Sequence, residues 1–360
     1  MKIAVAMSGG VDSSAAAYLL KQEDHELIGI TAICISTGSD SAENACFTSK
    51  AINDAKKISD QLGFPHYTID VSSDFESEII GPFCREYINA RTPNPCIRCN
   101  PKIKFRKLIQ FAEEKGFSKI ATGHYACVSE SQSGRYYISS AADKTKDQSY
   151  FLCRLTQDQL SRSVFPLGRY TKTEIREIAQ KAGLHTASNP DSQEICFIPD
   201  NDYITFIEKK LSLLPEPGNI VDKNDKIIGR HSGIHRYTIG QRRGLGIAAP
   251  FPLYVTGIDP ANNKIVAGYK DDLLCKGLYA SDLNYMKEEL LDGLEILLKV
   301  RSTQSAFKAV LKTDANGVFA YFEENQSGIT PGQSAVFYDY NSGIIAAGTI
   351  EKKISIGELI

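Results

Sequence analysis

A short apolar run, Ile3-Ala4-Val5, leads into Ala6-Met7-Ser8-Gly9-Gly10-Val11-Asp12-Ser13-Ser14 and then into Ala15-Ala16-Ala17-Tyr18-Leu19-Leu20. The first piece reads as a buried parallel strand and the last as a strong helix former. A strand, a Ser/Gly turn and a helix N-terminus in that order make an anion cradle. The glycines let backbone N–H groups approach a ligand closely, and the helix dipole favours negative charge there. The hydroxyls of Ser8, Ser13 and Ser14 add donors, and Asp12 can reach a magnesium ion held by phosphates. No Lys stands where a G-x-x-x-x-G-K-[ST] loop needs one, so that loop is excluded. The plainer reading of the stretch is a serine-rich helix cap.

The rest of the first half alternates strands and helices. Leu27 to Cys34 reads as a second strand. Cys46 to Leu62 reads as a helix stopping at Gly63, and Tyr67–Val71 as a third strand. Helices follow through Phe75–Ile88 and about Ile103–Lys115, then a strand at Lys119–Thr122 before Gly123-His124. Such alternation predicts an α/β fold, a doubly wound parallel sheet with right-handed crossovers. Ligands of such sheets sit at the carboxyl ends of strands. The loop at Ser8, the region after Ala32 and Gly123-His124 all fall on that edge.

At 360 residues the chain is long enough for two or three domains, and 42% hydrophobic residues suffice for their cores. The pattern changes after about Phe206, with a linker-like break at Pro215–Asn219, then short strands and Gly-rich turns. From about Gly277 alternating strands are expected at Glu295–Val300, Phe307–Leu311, Val318–Phe322, Ala335–Tyr338 and Ile344–Ile350, with a hairpin signal at Asn316-Gly317. Five or six strands in about 80 residues predict a small C-terminal β-barrel. The expected divisions are 1–205, 206–276 and 277–360. No apolar run approaches membrane-spanning length and no signal peptide precedes the first strand, so the expectation is a cytoplasmic chain with no membrane partner.

Nine cysteines, an odd number, point to reduced thiols rather than a disulfide framework. Cys96-Ile97-Arg98-Cys99 lies in a proline-stiffened approach, expected to stay out of a helix, with Cys99 just ahead of the helix from Ile103. Helix dipole and neighbouring cations would favour its thiolate. Cys196 lies in Asp191-Ser192-Gln193-Glu194-Ile195-Cys196-Phe197-Ile198. Half of a zinc site is the alternative for the C-x-x-C pair, but no second pair completes it. Cys34, Cys46, Cys84, Cys127, Cys153 and Cys275 read as packing residues. Net charge is only −2, yet 91–107 and 226–243 hold many cations and no acid. That pattern predicts a polyanion footprint.

The heptamer SGGVDSS resembles the pyrophosphate-binding loop of the ATP pyrophosphatases, which cleave ATP between the α and β phosphates. With it, RTPNPCIRCNPKIKF, ATGHYA, KDQSYFL, DSQEICFI, YTIGQRRGLGI and TPGQSAVFY occur in the order found in bacterial tRNA-specific 2-thiouridylases of the MnmA type. The resemblance spans nearly the whole chain. It implies an ATP pyrophosphatase domain, a small central domain and a C-terminal barrel. It also implies ATP-dependent replacement of the C2 oxygen of the tRNA wobble uridine by sulfur.

Residue by residue, the resemblance implies ATP contacts at Ala6, Met7, Ser8, Gly9, Gly10, Val11, Asp12, Ser13, Ala32 and Gly123, with adenine near Ala6 and Ala32. It implies Cys99 as catalytic nucleophile and Cys196 as the persulfide carrier. It implies that Asn94-Pro95-Cys96 holds the target base, and that tRNA meets His124, Lys146, Asp147, Gln148, Arg301, Ser302 and Gln333. The implied cofactors are ATP and Mg2+. The implied partners are tRNA, a persulfide donor (a cysteine desulfurase or sulfur relay protein) and an external reductant.

Two positions depart from the pattern. Cys96 stands where Asp is usual, and Arg301-Ser302-Thr303 where many relatives have Arg-Tyr-Arg. Cys96, Cys99 and Cys196 thereby open a second route, a [4Fe-4S] cluster carrying hydrosulfide. An ATP-pyrophosphatase amidoligase would share the loop without needing these cysteines, and a non-catalytic RNA-binding protein would not need the loop.

Overall fold

The fold is described from a computed structural model, for residues 1–35, 49–190, 195–287 and 289–357. β1 (Lys2–Ala6), β2 (Glu26–Ile33), β3 (His66–Asp70), β4 (Lys119–Ala121) and β7 (Ser163–Val164) form a sheet in the order β3-β2-β1-β4-β7. Every neighbouring pair in it is parallel. β1 and β2 read as near-continuous apolar runs because helices cover both sheet faces. Helix α1 (Val11–Gln22) returns from β1, and α2 (Ser49–Leu62) leads into β3. The Cys46 end of the expected second helix lies outside the described residues. Between β4 and β7 a hairpin of β5 (Ala126–Glu130) and β6 (Tyr136–Ser140) is inserted.

The helices between β3 and β4 differ from the sequence expectation. Helical backbone runs from Ser72 to Ile88, with a π-helical stretch at Glu76–Ile80. A second run begins at Pro95, not Ile103. It continues through a π-helical stretch, Asn100–Phe105, to Glu114. The prolines do not keep this segment out of a helix. Pro95 occupies the first helical position, where a missing N–H costs nothing and the fixed φ is already helical. Asn94 caps the end, its Oδ1 accepting from the Ile97 N–H at 3.4 Å. Cys99 is therefore inside the helix, and Cys96 holds the position near its start.

The central domain is a four-stranded sheet, β10-β11-β8-β9, built from β8 (Gly218–Val221), β9 (Ile227–His231), β10 (Tyr254–Asp259) and β11 (Lys264–Gly268). It is tied to the preceding helix Tyr203–Leu211 through Glu208, which accepts from the buried His235 at 2.8 Å and from Arg236 at 2.7 Å. The expected barrel is present and closed, in the order β12-β15-β14-β13-β16-β17. Its strands are β12 (Cys275–Tyr285), β13 (Glu295–Lys299), β14 (Phe307–Thr313), β15 (Gly317–Gln326), β16 (Ser334–Tyr338) and β17 (Ile344–Ser355).

The barrel wall is fused to the first domain rather than hung from it. Met286, Val336, Tyr338, Ile344 and Ala347 share one buried cluster with Cys99, Phe105 and Tyr150. Tyr150 donates to the Ser334 carbonyl at 2.9 Å. Arg91 completes the join, donating to Glu86 and to Glu351 of β17, each at 2.8 Å. Arg91→Ala is expected to lower unfolding free energy by about 1–2 kcal/mol, since both ion pairs are partly exposed. A double-mutant cycle with Glu351→Gln, read by denaturant titration, should show the coupling, and additive losses would count against the clamp.

Candidate active site

Parallel pairing brings the ends of β1, β2 and β4 to one edge of the sheet. The loop leaving β1 is held from beneath. Met7 N–H donates to Ile30 O at 2.9 Å, and Thr31 Oγ1 donates to Met7 O at 2.7 Å. The one hydroxyl proton of Thr31 is spent there, so it accepts from His66 Nε2 at 2.8 Å, which fixes that tautomer. Burial lowers the His66 pKa below 6.5, in keeping with a neutral ring.

Ser8 N–H donates to Ser13 Oγ at 3.2 Å, and the Ser13 and Ser14 hydroxyls donate to Gly10 O at 3.1 and 2.9 Å. Gly9 has φ +76°, and a Cβ there would lie 2.3 Å from Ala51 O, so conformation and packing both require glycine. Gly10 is the N-cap of α1 and offers no side chain to its first amides. Those amides have no intrahelical acceptor, which is the condition for binding an anion. Gly123 closes the cradle from β4: a Cβ on it would meet the Asp12 backbone at 2.8 Å.

Asp12 is the node of the site. Its Oδ1 accepts from Lys172 Nζ at 2.6 Å and from the Tyr125 hydroxyl at 2.9 Å. Lys172 is 8% exposed and Tyr125 2%. The loop has no lysine of its own, but Lys172, 160 positions away, is brought to it by the bond to Asp12. Sequence reasoning missed both residues. The signal available was a Thr171/Glu174 capping box placing Lys172 at a helix start. Tyr125 is itself fixed by Gln148, whose Oε1 accepts from Tyr125 N–H at 2.9 Å and whose N–H donates to Tyr125 O at 2.8 Å. Asp147 organises the same turn, accepting from Ala141 N–H at 3.0 Å and Ser149 Oγ at 2.8 Å.

The two cysteine segments belong to the same core cluster. Cys99 is 6% exposed there, and the half-buried Cys196 packs against the same cluster. Phe197 holds the Cys196 segment, with ring centroids 5.3–5.6 Å from Phe75, Phe83 and Phe206. Asn100, directly after Cys99, donates to Phe151 O at 2.8 Å, while its buried Oδ1 has no partner. Asp191 to Glu194 lie outside the described residues. Among the described residues no group of three or more His, Cys, Asp or Glu side chains is placed to hold a metal ion.

The chain matches family models described as the tRNA methyl transferase HUP domain over residues 1–200, the tRNA methyl transferase PRC-barrel domain over 204–269 and the aminomethyltransferase beta-barrel domain over 275–350. It is 44% identical to a tRNA-specific 2-thiouridylase MnmA of Caldanaerobacter subterraneus, covering 98% of both chains. The chain belongs to the MnmA family of tRNA-specific 2-thiouridylases. Relatives of the same name from Lachnoclostridium phytofermentans (43% identical, 98% of this chain, 99% of the relative) and Geotalea uraniireducens (42%, 98% and 96%) match as fully.

Several positions that the MnmA resemblance marks for tRNA make internal bonds as well. Gln333 Nε2 donates to Thr92 O at 2.7 Å, pinning the segment that enters the Cys96–Cys99 turn. Arg301 donates to Thr330 Oγ1 at 2.9 Å. Ser302 lines a cleft of ≈ 310 Å³ with Lys144, Asp147 and Lys299. His124 lies between Phe105 and Phe165, its Nδ1 2.7 Å from Thr122 Oγ1.

Burial, with the nearby Lys104 charge, lowers the His124 pKa from 6.5 to about 3. Between those values the unfolded chain binds the proton and the folded one does not. Stability at this residue is therefore full above about pH 6.5 and falls as pH drops toward 3, at about 1.4 kcal/mol per unit. Denaturant titrations of His124→Gln should show a shallower acid dependence than the parent, and equal slopes would disprove the assignment. Lys172→Met should reduce ATP-dependent pyrophosphate release at least about tenfold and cost about 1–3 kcal/mol by leaving Asp12 uncompensated. Adding Asp12→Asn should restore stability but not activity. A single variant with parental turnover would remove Lys172 from the site.

Proposed function

We propose that this chain catalyses ATP-dependent 2-thiolation of the tRNA wobble uridine. The observation that carries the reading is the full-length match to the named thiouridylases; a phosphate-type loop and two cysteine segments that share one core cluster support it. The family models and the relatives differ in the group their names transfer. Sulfur transfer is favoured because it gives work to both the loop and the two cysteines, whereas methyl transfer leaves an ATP-type loop without a role.

The C2 carbonyl of uracil is a poor electrophile with oxide as its leaving group. Its oxygen attacks the α-phosphorus of ATP, the α–β bridging bond breaks, and pyrophosphate departs. The loop amides, the Ser8 hydroxyl and Lys172 would hold the departing phosphates, with Ser13 bracing the loop through Gly10 O, and Asp12 would be the carboxylate nearest a magnesium ion carried by them. The terminal sulfur of a persulfide on Cys196 adds to C2, and AMP leaves. The Cys99 thiolate then attacks Cys196 Sγ. That S–S bond breaks with its electron pair on the uridine sulfur, and a Cys99–Cys196 disulfide remains for an external dithiol to reduce. The target base has to leave the anticodon stack to reach this site.

Cys99→Ser and Cys196→Ser should each abolish thiolation in nucleoside analysis of tRNA while ATP binding persists. Only the variant that keeps Cys196 should take labelled sulfur from a desulfurase, and label on Cys99 alone would reverse the roles. Cys96→Asp should retain activity with a persulfide donor. Pyrophosphate release indifferent to tRNA, with normal thiouridine in cells lacking the chain, would favour an amidoligase instead.

A further inference from the structure

The two stretches that are acid-free in sequence behave differently in space. In the first, Arg91 pairs with Glu86 and Glu351, Arg98 with Glu78, and Arg106 and Lys107 with Asp74. Much of its charge is neutralised by the fold. In the second, Arg236 is committed to Glu208. Lys226, Arg230, Arg242 and Arg243 are exposed and, among the described residues, enter no ion pair.

Arg242 and Arg243 open a loop with a built base. Gly240 N–H donates to Val255 O at 2.8 Å, and Val255 N–H donates to Gln241 O at 2.9 Å, so the loop ends are stitched together. Leu245 is buried in the central-domain core, with Ile247 and Leu253 packed against it. The loop is thus anchored, a compact Ω-type excursion rather than a slack tether. From this base Phe251 projects at 68% exposure between Pro250 and Pro252, its ring set edge-on to the exposed Tyr269 at 6.3 Å and 78°. Loop residues line an open hollow of ≈ 590 Å³. Phe251 and Arg242 line the same hollow, so an exposed aromatic face and an unpaired guanidinium are presented together. Cations for phosphates and an aromatic face for an unstacked base are the chemistry of a single-stranded nucleic-acid contact.

The loop also continues the site already described. A Cβ on Gly240 would lie 4.0 Å from Arg301 Nη2, and Arg301 likewise enters no ion pair among the described residues. The start of the loop thus approaches a barrel cation, with Arg242 and Arg243 two and three residues further along the chain.

We propose that the loop from Arg242 to Leu253 is an RNA-binding arm of the central domain. Arg242 and Arg243 contact tRNA phosphates, and Phe251 stacks on an unpaired base outside the reacting uridine. This rests on the tRNA reading above and adds a contact surface to it.

The test uses the full chain and an in vitro-transcribed tRNA with uridine at the wobble position, measuring affinity across a salt series. Arg242→Ala/Arg243→Ala should weaken binding, and its plot of log affinity against log salt should be shallower by about 1.4–1.8, the loss of two phosphate contacts. Phe251→Ala should weaken binding about 5- to 150-fold with an unchanged salt slope. Melting temperature and ATP binding should stay at parental values in both. Parental affinity and slope in both variants would overturn the proposal. So would normal tRNA binding with activity lost only when a persulfide-donor protein supplies the sulfur, since the loop would then dock protein. If the parent itself binds no tRNA, the reading in the preceding section fails and takes this one with it.

Discussion

The carboxylate of Asp12 is the point on which the site depends. It lies in the first turn of α1, so its position is set by the β1 loop. Its Oδ1 is shared by Lys172, from a helix far along the chain, and Tyr125, which follows the end of β4. Three elements distant in sequence are thereby locked at the sheet edge. A lysine and a carboxylate taken from water separately would each be strongly penalised, and together they are tolerated because each is the other's partner. The same pairing keeps a cation at the mouth of an anion cradle without a lysine in the loop. Gly123 makes the lock possible, because its bare Cα lets the β4 exit lie against the Asp12 backbone.

From this node the internal bonds lead outward to the barrel. Tyr125 is framed by the Gln148 backbone and side chain, and the next residues, Ser149 and Tyr150, dock on the barrel through Tyr338 and the Ser334 carbonyl. On the other side Gln333 and Arg91 fasten barrel turns to the segment before Cys96. The ATP-type loop and the cysteine helix are thus each braced against the same small barrel. The barrel is part of the scaffold that sets the distance between them, whatever surface it also offers to a partner.

The parts of the fold that the sequence made legible are those written in local pattern. β1, the loop and α1 follow from an apolar run, paired glycines and an alanine-rich tail. The barrel follows from alternating strands and Asn316-Gly317. What misled was also local. Pro93 and Pro95 read as breakers of helix, yet Pro95 begins one, because proline is costly inside a helix and harmless at its first position. Lys172 and Tyr125 could not be read as site residues, since nothing local records that they converge on Asp12. Cys99 and Cys196 were legible as special thiols by their settings, but that one core holds both is a property of Phe197 and its aromatic neighbours.

Charge shows the same limit from the other side. An acid-free run of sequence is only a statement about neighbours along the chain, and Coulomb attraction acts through space. The run from 91 to 107 lies on helices whose flanks meet Asp74, Glu78, Glu86 and Glu351, so most of its cations stabilise the fold and have little field left for a polyanion. The run from 226 to 243 lies on β9 and the segment that follows it, and four of its cations, Lys226, Arg230, Arg242 and Arg243, are exposed and enter no ion pair among the described residues. With a net charge of only −2 over 360 residues, the local distribution, not the total, decides where a phosphate backbone is attracted. Gly240, just before Arg242, approaches Arg301 of the barrel, so the unpaired cations of the central domain begin next to the barrel and not at the helices that hold Cys99.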